Sequence, residues 1–317
     1  MTLDPPLSLL RCPDTRSALR AIDGALVAES GARYALTPSG IPIFAPNLSM
    51  SAQRQQDHYD RIAAAYAANL DYPHTRAYNA HLDDAVIEAV AGASLGTCAE
   101  LCCGTAEGFA LLDSKIVRGV GIDVSLAMLE RAARRHADGR FTFVQADATR
   151  LPLADASFDS VVMLGGIHHV PDRAALFGEI ARVLKPGGIF LWREPVSDFV
   201  LWRALRAVIY RLSPMLDDST ERPLVWNETV PVLAHAGLAL EHWKTYGFLG
   251  FCLFMNSDVL VFNRLFRFIP GIVALTRAAA RLDSWTIALP GMGHAGLQVV
   301  GRACKTPTRA TSPTDHR

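Results

Sequence analysis

The sequence predicts an α/β fold in which a doubly wound sheet carries helices on both faces, and three observations predict it. Residues 98–128 read in turn as strand, tight turn, helix, strand and a second, acidic turn. The first turn, Cys102 to Gly108, is built of small residues, and Gly104 and Gly108 allow positive φ and a close approach of a ligand to the backbone. The next apolar strand, Val117 to Ile122, ends in Asp123, nineteen residues after Gly104, where such a sheet places the carboxylate that grips a ribose diol. The pattern points to an adenosine-type ligand. A dinucleotide turn wants glycine at its first, third and sixth positions, which here hold Cys102, Gly104 and Glu107. A carboxylate at the sixth would repel a pyrophosphate, which argues against NAD.

Composition narrows the class. The chain has 317 residues, half of them apolar, enough for one large core and a small appendage. Lys plus Arg equals Asp plus Glu at 31 each, so no global positive charge favours a nucleic acid. Six cysteines without a Cys-x-x-Cys pair read as reduced thiols, and Asp4, Pro5 and Pro6 interrupt the only early apolar stretch where a signal peptide would lie. Both readings fit a cytoplasmic location.

In chain order, residues 1–47 form a small module: an apolar opening with a Cys-Pro turn, a stretch alternating like two short strands, and a Gly-Ile-Pro turn. Residues 53–69 read as a helix with Tyr59, Ile62 and Tyr66 on one face, and Leu82 to Ala91 as a second amphipathic helix before the first strand. Phe109 to Ile116 is helical, as is Ser125 to His136. Phe141 to Val144 is the third strand, followed by Gln145-Ala146-Asp147-Ala148, and 151–170 contains the fourth, ending in His168 and His169. Residues 171–195 give a helix, a Lys-Pro-Gly-Gly turn and a fifth strand. An apolar helix at 199–216, a covering helix at 228–237, a sixth strand within 238–248 and a seventh at 296–304 follow, and 306–317 read as a disordered tail. The apolar stretch Phe248 to Leu275 is broken by Asn256, Asp258, Arg264, Arg267 and Pro270, so it predicts no transmembrane helix.

The run ELCCGTAEG, from Glu100 to Gly108, resembles motif I of the class I S-adenosylmethionine-dependent methyltransferases, with Cys102 and Ala106 at two of the three glycine positions. The Phe158-Asp159 pair and the Lys-Pro-Gly-Gly turn are similar to later pieces of that family, in the same order. The resemblance implies a seven-stranded sheet spanning 48–305, lid insertions at about 199–225 and 249–295, and S-adenosyl-L-methionine as cofactor. It implies a cofactor shell of Tyr59, Glu100, Cys102, Gly104, Asp123, Val124, Asp147, Ala148, Leu164 and Gly165, with Asp123 on the ribose hydroxyls, Asp147 on the adenine amine and the Ala148 amide on the ring. His168 and His169 are the candidate catalytic bases; Cys102 and Cys103 are not read as nucleophiles. Residues 1–47 resemble the zinc-ribbon-like activator module of tRNA and translation-factor methyltransferases, through Leu9, Leu10, Cys12, Pro13, Tyr34, Gly40, Ile41 and Pro42. Only Cys12 survives of the ligands and Thr15 takes its partner position, so no metal is expected and the module should pack on the main domain.

The expected reaction is methyl transfer to O or N of an apolar small molecule. The alternatives are an RNA or protein methyltransferase using residues 1–47 for recognition, and an enzyme that cyclises or cleaves the cofactor. Several of Phe248, Phe251, Leu253, Phe254, Phe262, Leu265, Phe266 and Trp285 are expected to line an acceptor pocket, with a dimer interface or peripheral membrane contact as competing uses. The sequence leaves the oligomeric state open.

Overall fold

The computed structural model describes residues 7–45, Gln53, 71–204, 222–255 and 261–307. The expected helix 53–69 with Tyr59, most of the helix at 199–216 and most of the tail lie outside the described residues.

Among the described residues ten strands form two sheets. The small one holds β1 (Leu19–Ile22), β2 (Ala25–Ala28) and β3 (Arg33–Ala35), all antiparallel. Asp23 and Gly24, both at positive φ, make the tight hairpin between the first two. Two strands were expected here; the third forms because Arg33–Ala35 folds back along β2. The large sheet comprises β4 (Gly96–Leu101), β5 (Ile116–Asp123), β6 (Phe141–Gln145), β7 (Phe158–Leu164), β8 (Leu184–Pro195), β9 (Leu238–Tyr246) and β10 (Gln298–Lys305), in the order β6-β5-β4-β7-β8-β10-β9. All pairs are parallel except those of β10, which runs antiparallel between β8 and β9. The order reverses at β4 and β7, so their carboxyl ends open the crevice where α/β sheets bind ligands.

Alternate side chains of these strands feed two cores. On one face Leu101, Ile122, Val161 and Trp192 pack with α4 (Arg173–Val183), α5 (Trp226–His235) and the N-terminal module. On the other, Cys98, Val162, Leu191 and Val300 pack with α1 (Pro73–Val90), α2 (Glu107–Leu111), α3 (Leu126–Arg135) and the insertion before β10. Helix α1 starts well before the expected Leu82, since Pro73 suits a first helical turn and His74 and Tyr78 are buried by it.

The N-terminal module is fused to the sheet rather than tethered to it. Ile43 bridges Gln145 of β6 in parallel, with Phe44 N donating to Gln145 O at 2.8 Å and Gln145 N to Pro42 O at 2.9 Å. Arg16 pairs with Glu179 of α4 at 3.0 Å. Leu10, Cys12, Leu26, Tyr34 and Phe44 share the core of the large domain, and the Cys12 thiol lies 3.1 Å from the Tyr34 hydroxyl.

The insertion consists of α6 (Leu249–Phe254), a 3-10 segment Val261–Phe268 and α7 (Ile272–Ile287). Buried Asp283 of α7 ties it together, accepting from Tyr78 Oη of α1 at 2.6 Å and from the amides of Phe248, Gly250 and Phe251 at 2.8–2.9 Å. The eight apolar residues, several of which are expected to line a pocket, divide between core and surface. Phe251 and Phe254 are core, Phe248 and Phe266 pack against it, and Leu253, Phe262, Leu265 and Trp285 face solvent. Spacing on this stretch follows a 3-10 and an α-helical period in turn, and each sends part of its apolar set outward.

Candidate active site

The site is assembled from the carboxyl ends of β4 to β8. At its centre is the turn after β4, in which Cys102, Gly104 and Ala106 have φ of 49°, 51° and 61°. All three positions of the glycine pattern thus keep the left-handed conformation, although two carry a side chain. A Cβ built on Gly104 would meet nothing within 4 Å among the described residues, so the turn presents bare backbone there.

Glu100 builds this turn. Its two carboxylate oxygens accept from Gly108 N and Phe109 N at 2.8 Å each, at the start of α2. Burial pushes its carboxyl up to about 8, and the two amides pull against that rise. Buried and bonded to two successive amides, Glu100 holds the loop in shape. Gly108 is glycine because a Cβ would sit 2.8 Å from Glu100 Oε1.

Asp123 ends β5 half-buried. Its Oδ2 accepts from Gly104 N at 2.8 Å and Oδ1 from Ser125 N at 2.9 Å, so the two ends of the nineteen-residue spacing are bonded to each other. Burial raises its pKa, opposed by the amides of Ser125 and Gly104. The cap of α3 is Ser125, whose hydroxyl accepts from Met128 N at 3.3 Å, so Asp123 is not used as the helix cap. Each oxygen retains a lone pair for a further donor. Val124 follows it, half-buried, with its carbonyl accepting from Gln145 Nε2 at 3.3 Å. Asp147, after β6, forms an Asx-turn in which Oδ1 accepts from Thr149 N at 2.8 Å and Thr149 Oγ1 at 2.7 Å, with Oδ2 outside the turn's bonds. Ala148 beside it is buried.

Cys102 and Cys103 are held well above the ordinary thiol range by burial and by the neighbouring carboxylate of Asp123, which disfavours a thiolate nucleophile. Cys102 packs against Gly166, where a Cβ would fall 2.6 Å from that of Cys102. Leu164 ends β7, and Gly165, at φ 79°, donates to Arg193 O at 2.8 Å.

The histidine pair then follows on a 3-10 turn, Ile167–His169. His168 Nδ1 lies 2.7 Å from Oε2 of Glu194, a fully buried residue near the end of β8. Glu194 Oε1 accepts from Gly166 N and Ile167 N at 2.7 and 2.8 Å, and Oε2 from His168 N at 3.3 Å. One carboxylate thus shapes the loop and orients the ring; in the neutral tautomer whose Nδ1–H donates to it, the lone pair lies on Nε2. The two imidazoles lie against each other with centroids 3.8 Å apart and their planes tilted by 40°. Sequence reasoning missed Glu194, although an acidic residue at the end of the apolar run IFLW was a signal for it. A separate cleft of about 310 Å³ between α1 and α7, lined by His81, Asp84, Arg277 and Arg281 among others, contains none of these residues.

Residues 99–192 match a family model described as a methyltransferase domain. The 27-O-demethylrifamycin SV methyltransferase of Amycolatopsis mediterranei is 40% identical over 104 residues, 31% of this chain and 37% of that protein. A demethylmenaquinone methyltransferase of Staphylococcus saprophyticus is 37% identical over 99 residues, 30% of this chain and 42% of that protein. The chain thus spans less than half the length of these curated relatives. The structure of the cyclase SpnF superposes with a TM-score of 0.56 at 19% identity, covering 80% of this chain and 96% of that one, a likeness of fold alone. Sheet order and matched segment together identify the fold as that of the class I methyltransferases, with a methyltransferase domain match over residues 99–192.

Proposed function

We propose that the chain is an S-adenosylmethionine-dependent methyltransferase acting on O or N of an apolar small molecule. The observation that carries the reading is the bond from Gly104 N to Asp123 Oδ2, which couples an open glycine turn to a carboxylate with lone pairs to spare. A ribose diol fits that carboxylate, each charge-assisted hydrogen bond contributing about 1.5–3 kcal/mol. Asp147 Oδ2 suits the adenine amine, while Val124, Ala148, Leu164 and Gly165 frame the same crevice. The bound cofactor supplies a methyl group on a sulfonium, and transfer is an in-line displacement.

The protein's part is to orient the acceptor and exclude water, which together contribute on the order of 7–11 kcal/mol. His168 Nε2 takes the acceptor's proton as the new bond forms, and Glu194 keeps Nδ1 protonated and the ring in place. The names of the rifamycin and menaquinone relatives support a small-molecule acceptor. The test is mass spectrometry of the nucleoside product after incubation with S-adenosylmethionine and an organic extract of cells. S-adenosylhomocysteine together with a methylated small molecule is expected; methylthioadenosine, or methylated RNA or protein instead, would overturn the proposal.

A further inference from the structure

The insertion turns a large apolar surface outward in a regular pattern. In the 3-10 segment Val261–Phe268 residues three apart stand in line. Phe262, Leu265 and Phe268 form one such row, exposed by 52%, 64% and 69%, while Asn263 and Phe266 form the inward row. The third row is Arg264 and Arg267, the latter with its guanidinium 5.1 Å from the Tyr72 ring and 4.7 Å from that of Phe268. Helix α7 repeats the arrangement at its own period. Ile272, Thr276, Ala280, Asp283 and Ile287 are buried, whereas Leu275, Ala278, Leu282 and Trp285 run along the solvent side at i, i+3, i+7 and i+10, with Arg277 and Arg281 beside them. Trp285 is 71% exposed. Among the described residues from 249 to 291 the only carboxylate is Asp283, which is buried and fully engaged.

We infer that this face docks on an anionic lipid surface. Soluble proteins rarely expose so many large apolar side chains together without a partner for them. Charge decides between the partners. A second copy would bring Arg264, Arg267, Arg277 and Arg281 against their own counterparts across a two-fold interface, and Asp84, the exposed carboxylate that lines the α1–α7 cleft with Arg277 and Arg281, is a single negative charge against them. A bilayer carrying acidic headgroups meets both demands at once: aromatic and leucine side chains enter the acyl boundary while arginines lie at phosphate level. No helix among the described residues is long and apolar enough to cross a membrane, so the contact is a docking one.

The experiment is co-sedimentation of the full chain with vesicles of phosphatidylcholine alone and with added phosphatidylglycerol. Binding is expected to the acidic vesicles only and to fall as salt is raised. Arg277→Gln and Arg281→Gln should each weaken it about fivefold, and Phe268→Ala or Trp285→Ala roughly tenfold. Because these side chains are exposed, thermal melts and calorimetric affinity for S-adenosylhomocysteine should stay at wild-type values, so failure here leaves the methyl-transfer reading untouched. Absence of vesicle binding, equal binding to neutral vesicles, or a concentration-dependent dimer dispersed by the same substitutions would overturn the inference.

Discussion

Replacing Glu194 by glutamine tests the assignment of His168 most directly, because the substitution keeps the shape and changes only what can be donated and accepted. All four contacts of Glu194 come from donors: Gly166 N, Ile167 N, His168 N and His168 Nδ1. A glutamine oxygen at the Oε1 position satisfies the first two. Its amide nitrogen then stands where Oε2 was and presents hydrogens to His168, so the ring can answer only by giving up the proton on Nδ1 and carrying it on Nε2. That tautomer offers no lone pair to an acceptor's hydroxyl or amine. Turnover should fall by the worth of a general base, on the order of 10²–10⁴-fold. The amide of His168, left facing a donor, should cost about 1–3 kcal/mol of stability. Binding of S-adenosylhomocysteine by calorimetry should hardly change, since Asp123 and Gly104 are untouched. Nitrogen-15 spectra of the imidazoles, assigned with His168→Ala, read the tautomer without any acceptor. A Glu194→Gln protein with wild-type turnover, or one whose His168 keeps its proton on Nδ1, would refute the reasoning.

Asp123→Ala should weaken S-adenosylhomocysteine binding at least about tenfold by calorimetry, the loss of one to two charge-assisted bonds; unchanged affinity would remove Asp123 from the site. Tyr78→Phe deletes one donor to buried Asp283 without changing shape, and should lower stability to urea by about 1.5–3 kcal/mol. A loss below about 0.5 kcal/mol would mean that the phenol contributes nothing to anchoring the insertion. Burial holds His74, His81 and His242 below their ordinary 6.5. They are thus neutral in the fold while the unfolded chain takes up protons, and stability should be level above about pH 6.5 and fall below it. Among the described residues His74 has no hydrogen-bond partner on either ring nitrogen, so His74→Phe should reduce that acid sensitivity in urea titrations; an unaltered pH profile would contradict this.

The parts legible in the sequence are those whose signal is local. Strands β4 to β8 are apolar runs punctuated by Gly, Asp and Pro, and Ser125 and Asp172 announce the helices they cap. Asp123 was legible because strand, turn and helix fix its distance from Gly104. Glu194 was not, because its role depends on a loop 26 residues earlier in the chain folding back beside β8. Asp283 was hidden for the same reason, 205 residues from Tyr78. In the insertion, apolar content was plain but its direction was not. Period three in Val261–Phe268 puts Phe262, Leu265 and Phe268 in one row, whereas an α-helical reading would have spread them around the axis.

The turn after β4 shows why a glycine pattern can persist without its glycines. Left-handed backbone costs about 1–2 kcal/mol for each residue with a Cβ, so Cys102 and Ala106 place a strain of a few kcal/mol in the loop. Bonds that depend on the backbone alone oppose it. Ala106 N donates to Cys103 O at 2.7 Å, Cys103 N to Ile122 O at 3.0 Å, and Gly104 N to Asp123, while Glu100 clamps the first amides of α2. The buried Ala106 methyl and the Cys102 side chain return part of the cost as packing, the latter in space left by Gly166. Of the three left-handed positions Gly104 is the one kept bare, where an added Cβ would meet nothing within 4 Å among the described residues. The two carboxylates, Glu100 at the end of β4 and Asp123 at the end of β5, therefore define this motif more firmly than its glycines do.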